Sequence, residues 1–310
     1  TGSISLLTIC IWFCILILIY KAFMHKAYLI WTAPLLLSAL VILNINKYSG
    51  FEAEFLYVGQ GDCAVIKDEN KCYIMDAGSS EYKSYGQVLL DDLKYENINK
   101  IDGIYISHMD YDHMGGVLEI ADKIPIDNIY ISKYSIHNEN YDLLLTAAHN
   151  NNINIIYTDE SYNEYITKNT FVEFIYSDKN ADNLNNNSVV YRVSHNNKSI
   201  LFTGDVDNTT ADEIAKSCNV KADILKVPHH GSKDSFSYDF VKAVAPVAAL
   251  NSAGHNNIYG HPSSETIEGY NNLNIPFFTT DYNGMIKIRI CDDTIKYKLI
   301  NTKFKEIKNS

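Results

Sequence analysis

Apolar positions follow two different rhythms along this chain. Residues 4–20 (ISLLTICIWFCILILIY) and 27–45 (AYLIWTAPLLLSALVILNI) are nearly unbroken apolar runs, separated by Lys-Ala-Phe-Met-His-Lys. At about 1.5 Å per residue they reach roughly 25 and 28 Å, the thickness a helix must cross in a bilayer, and they predict a transmembrane hairpin. Pro34 is compatible with such a helix, because neighbouring groups satisfy the freed carbonyl. A signal peptide is the competing reading, but its basic residues precede the apolar stretch, whereas Lys21 and Lys26 follow the first run. Those lysines place the connection on the cytoplasmic side, so that both ends face outward. A start at Thr-Gly rather than Met reads as the tail of a longer membrane protein.

From Phe51 onward the runs shorten and alternate. Phe55–Val58, Ala64–Lys67, Cys72–Met75, Ile104–Ser107, Asn128–Ser132 and Ile153–Tyr157 predict strands, as do Val172–Tyr176, Val189–Ser194 and Ser199–Thr203. Ala222–Val227, Val247–Asn251, Pro276–Thr280, Met285–Ile290 and Thr294–Leu299 continue the series. Helical spacing falls on Val117–Ala121, Tyr141–Asn150, Asn208–Lys216, Ser237–Val244 and Glu265–Asn272, while the Asn-rich stretch Ser177–Asn187 reads as a loop. Two domains follow: residues 1–49, holding the two membrane helices, and residues 50–310, a single α/β unit without internal repeats.

Charge sharpens that division. The 310 residues carry a net charge of −11, from 26 basic and 37 acidic side chains, yet residues 1–50 contain no carboxylate. Their three lysines leave 23 basic against 37 acidic residues over 51–310, a net of about −14. A general basic nucleic-acid-binding module is excluded on that balance, and 46% hydrophobic content excludes a disordered chain. The cysteines (Cys10, Cys14, Cys63, Cys72, Cys218 and Cys291) show no Cys-x-x-Cys pair among the last four, so neither a zinc ribbon nor a dense disulfide framework is expected. A single Cys63–Cys72 bridge across a hairpin is open to the spacing, though nothing in the sequence supports it.

The candidate chemistry sits after predicted strands. Ser107-His108-Met109-Asp110-Tyr111-Asp112-His113-Met114-Gly115-Gly116 brings two imidazoles and two carboxylates together at a strand end, where they can converge on cations. Tyr73-Ile74-Met75-Asp76-Ala77-Gly78, Leu201-Phe202-Thr203-Gly204-Asp205 and Leu225-Lys226-Val227-Pro228-His229-His230-Gly231-Ser232 each put further polar groups after an apolar run. A lone strand-end Asp is an ordinary turn former, and a lone His near a core strand is an ordinary structural residue. Together, in an α/β chain whose ligands gather at the carboxyl ends of strands, they describe one site. In Gly254–Pro262, amides and imidazoles can hold a phosphate or protonate a leaving oxygen before a helix start, or merely form a polar loop. Lys226, Lys233 and Lys242 lie near the predicted mouth, either as offsets for a polyanion or as ordinary solvated lysines.

These residues carry a resemblance. The ordered set Asp76, His108-x-Asp110-x-Asp112-His113-x-Gly115-Gly116, Thr203-Gly204-Asp205 and His229-His230-Gly231-Ser232 resembles the metallo-β-lactamase superfamily. Within it, Phe55-Leu56-Tyr57-Val58-Gly59-Gln60-Gly61-Asp62 and Tyr259-Gly260-His261-Pro262 are similar to the carboxy-terminal domain of ComEC-type DNA internalisation proteins of bacterial competence. The resemblance implies an αββα sandwich preceded by transmembrane helices, with two divalent metal ions. By that analogy His108 and Asp110 hold one ion, Asp112 and His113 the other, and Asp205 bridges them. One of His229 and His230 completes the second, with His230 favoured, and His229 is then left to contact substrate or act as an acid. Asp112, His229 and His261 are the expected catalytic residues.

Departures from the lactamase pattern bear on the chemistry. Asp110 replaces a histidine, and Asn186-Asn187-Ser188 occupies the region of an isolated third histidine. More oxygen ligands make manganese as plausible as zinc and argue against β-lactam hydrolysis. Tyr57 stands where the competence pattern carries Asp, while Asp62 and Asp76 are expected either to orient ligands or to coordinate directly. The implied function is a membrane-tethered phosphodiesterase that degrades the non-imported strand at a DNA uptake channel. Its partners are single-stranded DNA, the membrane and the rest of the channel, and its location is the cell membrane as a multi-pass protein with the soluble domain extracytoplasmic. Hydrolysis of another phosphodiester, such as one of the cell wall, and a non-catalytic DNA-positioning role are the alternatives.

Overall fold

A computed structural model describes residues 12–17, 20–21, 50–80, 85–300 and 302–307. The two apolar runs expected to cross the membrane lie largely outside these residues. Among the described residues, no helix is long and apolar enough to cross a membrane. The chain divides into two compact units, one of residues 1–49 with 94–97 and the other of 50–93 with 98–310. In the first, residues 12–17 and 20–21 are helical.

The second unit is an αββα sandwich, as the motif set implies. One sheet is built from β1 (Phe51–Phe55), β2 (Cys63–Asp68), β3 (Lys71–Ala77), β4 (Ile101–Tyr105), β5 (Ile126–Ser132), β6 (Asn154–Thr158), β14 (Ile286–Cys291), β15 (Thr294–Leu299) and β16 (Lys305–Glu306). The other comprises β7 (Asn163–Tyr165), β8 (Thr170–Tyr176), β9 (Val190–His195), β10 (Lys198–Phe202), β11 (Ile224–Lys226), β12 (Ala248–Asn251) and β13 (Phe277–Thr279). The nine strands of the first lie in the order β16-β15-β14-β1-β2-β3-β4-β5-β6, and the seven of the second in the order β13-β12-β11-β10-β9-β8-β7. Strands β3 to β6 run parallel, as do β10 to β13, so both sheets send several carboxyl ends the same way.

Period-2 alternation sorts each strand between two cores. Phe51, Ala53, Phe55, Tyr73, Met75 and Tyr105 face the interior between the sheets, against Val172, Tyr191, Val193, Ile200, Phe202 and Leu250. The intervening residues Val65, Ile74, Ile104 and Ile129 face outward under α1 (Tyr85–Tyr95), α2 (Tyr111–Ile120) and α3 (Glu139–Asn150). On the other side Leu201, Leu225 and Ala249 lie beneath α4 (Asn208–Ser217), α5 (Tyr238–Val244) and α6 (Ser264–Asn272). Burial on both faces explains why the central strands read as continuous apolar runs. At roughly 25 cal/mol per Å² of apolar area, the three cores supply the main driving force of the fold.

Three expectations shift. The first strand occupies Phe51–Phe55 rather than Phe55–Val58, and the helix after the His/Asp motif begins at Tyr111 and not at Val117. Asp110 is the N-cap residue, so the motif's second half forms the first helical turn and Gly115-Gly116 lies inside the helix. Cys63 and Cys72 are buried free thiols. Cys63 pairs with Ala77 and Cys72 with Lys67, at opposite ends of the β2–β3 hairpin, which places them out of bridging range.

Candidate metal centre

The loops after β3, β4, β10, β11 and β12 bring their polar side chains together at one edge of the sandwich. Asp76 lies near the end of β3 with a left-handed φ of 55° and turns its carboxylate onto the next strand. Its Oδ1 accepts from the Ser107 amide at 2.7 Å, and its Oδ2 from the Ser107 hydroxyl at 2.8 Å. Gly78 then lets the first turn of α2 approach the backbone: a Cβ there would lie 2.2 Å from the Asp112 carbonyl carbon. The Asp62 amide donates to Asp112 O at 3.0 Å, and the Gly78 amide to Asp62 O at 2.9 Å. The Gly59–Asp62 turn thereby fixes the helix start that carries Asp112 and His113.

His229 and His230 are consecutive left-handed residues, with φ of 47° and 51°. Each costs roughly 1–2 kcal/mol for a side chain with a Cβ, a local strain that the surrounding packing sustains. The turn splays the rings, whose centroids are 6.2 Å apart at 68°. His230 points inward and is buried, while the His229 side chain keeps 27% of its exposure.

Ligand atoms of Asp112, His113, Asp205 and His230 all lie within 4.8 Å of one another. His113 Nε2 is 3.1 Å from Asp205 Oδ1, and His230 Nε2 is 3.3 Å from Asp112 Oδ2 and 3.4 Å from Asp205 Oδ2. His108 and Asp110 form a second group alongside, Nε2 to Oδ2 at 3.5 Å, with the His108 and His113 rings 4.2 Å apart. Asp110 makes no side-chain capping bond, so its carboxylate is turned to His108 instead of the helix amides.

The donor set fits divalent cations. His113 Nδ1 donates to Asp76 Oδ2 at 2.9 Å and His230 Nδ1 to the Ser252 carbonyl at 3.0 Å, which aims Nε2 of both rings into the cluster. His108 Nδ1 meets the hydroxyls of Ser107 and Ser188, each at 3.1 Å. The Nε2 atoms of His108, His113 and His230 and Oδ1 of Asp205 are buried without a hydrogen-bond partner. Four such atoms converging with carboxylates are costly unless a cation engages them. Electrostatics agree: burial opposes charge on His113 and His230, but Asp205 with Asp76 or Asp62 outweighs it and raises both well above the usual imidazole range. Burial likewise opposes ionisation of Asp205, yet His113 and His230 hold its carboxyl well below the ordinary value. The pocket therefore draws positive charge to itself.

The remaining predicted residues fall around this cluster. His229 Nε2 is 3.8 Å from Asp205 Oδ2 and 3.4 Å from Asn185 Nδ2. The His261 ring lies 5.7 Å from that of His229 and 6.5 Å from that of His230. Burial lowers His229, and burial with the two neighbouring histidines pushes His261 down to about 4. Tyr57 accepts from the His255 amide at 3.2 Å, so its hydroxyl anchors the loop across the site. Lys226 is not a solvated lysine at a mouth: it is buried, and its ammonium pairs with Asp62 beneath the cluster. A lysine between Leu225 and Val227 reads as the polar position of a strand, and only the second sheet burying it reveals the pair. Ser107, Ser188 and Ser252, which orient the histidines, also escape sequence reasoning. Only the lack of a histidine in its neighbourhood marks Ser188 in the sequence, yet its hydroxyl accepts from the Asp205 amide at 3.0 Å.

The chain is 27% identical over 257 residues to ComE operon protein 3 of Bacillus subtilis, covering 77% of this chain and 33% of that protein. It is 25% identical over 231 residues to Competence protein ComA of Neisseria gonorrhoeae, covering 74% and 31% respectively. The chain thus spans about a third of the length of these curated relatives. Among solved structures, the metallo-beta-lactamase fold protein YhfI from Bacillus subtilis superposes with a TM-score of 0.50 at 10% identity, covering 76% of this chain and 99% of that one, a likeness of fold. The chain resembles the metallo-β-lactamase-fold domain of ComEC-type competence proteins. The family model described as the metallo-beta-lactamase superfamily matches residues 56–255, well over half of the sequence, and with the sandwich and its strand-end His/Asp cluster this makes the chain a member of that superfamily.

Proposed function

We propose that the protein is a metal-dependent phosphodiesterase that cleaves single-stranded DNA at a competence-type uptake channel, degrading the strand that is not imported. The observation that carries this reading is the convergence of three unpartnered Nε2 atoms with a buried carboxylate at one edge of the sandwich. His108 and Asp110 would hold one divalent ion, Asp112, His113 and His230 the other, and Asp205 would lie between them. Three imidazoles and three carboxylates suit zinc or manganese. When bound, such a pair of ions supplies Lewis acidity toward a phosphoryl group and activates water.

The chain's own residues do the rest. Asp76 and Ser252 orient His113 and His230, so only the Nε2 protons would give way to a cation and the rings would not need to turn. Asp112, at the positive end of α2, keeps its carboxyl below the ordinary range, since the His230 bond and nearby His113 outweigh burial. His229 is the exposed member of the cluster and His261 its neighbour. Their lowered values keep both rings neutral near pH 7, where each presents a donor to a phosphoryl oxygen or takes up a proton. The competence relatives support DNA as the substrate and a membrane-bound apparatus as the setting, with residues 1–49 as a transmembrane hairpin and 50–310 as the hydrolase on the extracytoplasmic side.

The test is direct. The full chain in detergent, supplied with Mn²⁺ or Zn²⁺, should cut a single-stranded oligonucleotide, and Asp110→Ala or Asp205→Ala should abolish cutting and lower the metal content. Variants that cut as well as the parent would assign the activity to a contaminating nuclease.

A further inference from the structure

A rigid loop beside the cluster holds two apolar side chains out into solvent. Ile258 is 92% exposed and Tyr259 57%. The loop is not loose: the Asn257 side-chain nitrogen donates to Gly254 O at 2.8 Å and to His261 O, while its side-chain oxygen accepts from the Tyr259 and His261 amides at 3.1 and 3.0 Å. At its near end the Gly254 amide donates to Gln60 Oε1 at 3.2 Å and the His255 amide to the Tyr57 hydroxyl at 3.2 Å. Fixing an exposed aromatic in this way costs conformational entropy in advance, which lowers the entropy to be lost when something binds.

The ring has a direction as well as a place. Tyr259 stacks on His261, centroids 5.7 Å apart at 29°, and His261 stacks toward the buried His230 at 6.5 Å and 23°. These spacings fall in the range of offset aromatic stacking. A file of near-parallel rings thus leads from solvent to the candidate metal centre, with the exposed tyrosine at its outer end. A flat ligand group joined to the reacting phosphate prolongs the file, whereas a lipid tail gains nothing from ring orientation.

We infer that Tyr259, flanked by Ile258, is a stacking subsite for a nucleobase of a single-stranded polynucleotide whose phosphodiester lies at the cluster. The inference rests on the phosphodiesterase reading and adds the part of the substrate that is recognised. Base stacking tolerates sequence, because every base has a π-face, and it offsets the poor electrostatics of an acidic domain. A duplex, whose bases are already stacked on one another, gains nothing at this site.

Two measurements on the full chain in detergent test it separately from the activity. In the first, kcat/KM is compared for a single-stranded oligonucleotide and for an abasic diester of the same length, an oligomer of tetrahydrofuran deoxyribose phosphates, which carries the same backbone and no flat ring. Tyr259→Ala should lower the oligonucleotide-to-diester ratio by at least about fivefold, and Tyr259→Phe should restore it. An unchanged ratio overturns the subsite. The second uses an oligonucleotide carrying 2-aminopurine, with EDTA present to prevent cleavage: stacking quenches its fluorescence on the parent and on Tyr259→Phe, and Tyr259→Ala loses the quench. If neither substrate is cut, the phosphodiesterase reading fails and the quench alone decides the subsite. Equal quench by all three proteins would overturn it.

Discussion

His261 shows how the surroundings of one residue set its chemistry. Burial and the neighbouring His230 and His229 push it down to about 4 from an ordinary 6.5, so the ring stays neutral throughout the range in which a free histidine would charge. Folding then expels a proton from this ring between roughly pH 6.5 and 4. Its contribution works against the fold as the pH falls through that window and vanishes above it. The C–H resonances of His261 in the metal-free protein, followed by NMR, should titrate with a midpoint near 4, and His261→Gln identifies the signal. At this scale most of the candidate site is legible in the sequence, because two imidazoles and two carboxylates within six positions crowd four cation-binding side chains onto one strand end. Illegible are the partners that orient them. The Ser107 and Ser188 hydroxyls, the Ser252 carbonyl and the buried Lys226 become visible only when strands far apart in sequence are paired.

Strand β1 makes the same point for an element. Its alternation places Phe51, Ala53 and Phe55 in the core between the sheets, which leaves Glu52 and Glu54 on the other face, where both are also buried. The neighbouring strands answer with cations: Lys67 of β2 lies 2.7 Å from each glutamate, and β14 contributes Lys287 to Glu54 and Arg289 to Glu52. Burial raises Glu54 to about 8, with Asp92 adding to the effect, so this carboxyl depends closely on its partners. Removing Lys287 takes away the cation closest to Glu54 and leaves unfilled the buried space its side chain packed. Lys287→Ala should therefore cost about 3 kcal/mol, read from the midpoint of urea denaturation, whereas an exposed lysine such as Lys242 changed to Ala should move it by less than about 0.5 kcal/mol. Elements with clear periodicity are predictable, as the strands β2, β5 and β9 and the helix α3 show. Those that differ do so for definable reasons. The residues of α2 look like loop because their polar groups serve the cluster, and β7 and β16, of three and two residues, are too short to carry a period. Helix α1 carries only a partial signal, in Leu89, Leu90 and Leu93 packed on the first sheet, which the polar stretch that follows it obscures.

For the molecule as a whole, the cluster joins the two sheets. Asp112 and His113 belong to the helix that follows β4 of the nine-stranded sheet, and Asp205 and His230 to loops after β10 and β11 of the seven-stranded one. A cation that binds them binds the native state alone, so it should raise the unfolding temperature in proportion to the logarithm of its concentration above Kd. Thermal scans of the chain with EDTA and with a hundredfold excess of Mn²⁺ over Kd should differ by about 2.7 kcal/mol in stability for each ion bound, and Asp205→Ala should remove most of the difference. The net of about −14 over residues 51–310 also predicts that nucleic-acid affinity comes from few contacts, such as a stacking ring, and not from a basic surface. The spread of the cluster along the chain has a bearing on its history. His108 and His230 are separated by more than a third of the sequence, and no earlier segment collects the four converging ligands. During synthesis the full donor set therefore exists only after His230 has emerged and β10 and β11 have packed on the first sheet, so a cation that needs all four ligands would bind late.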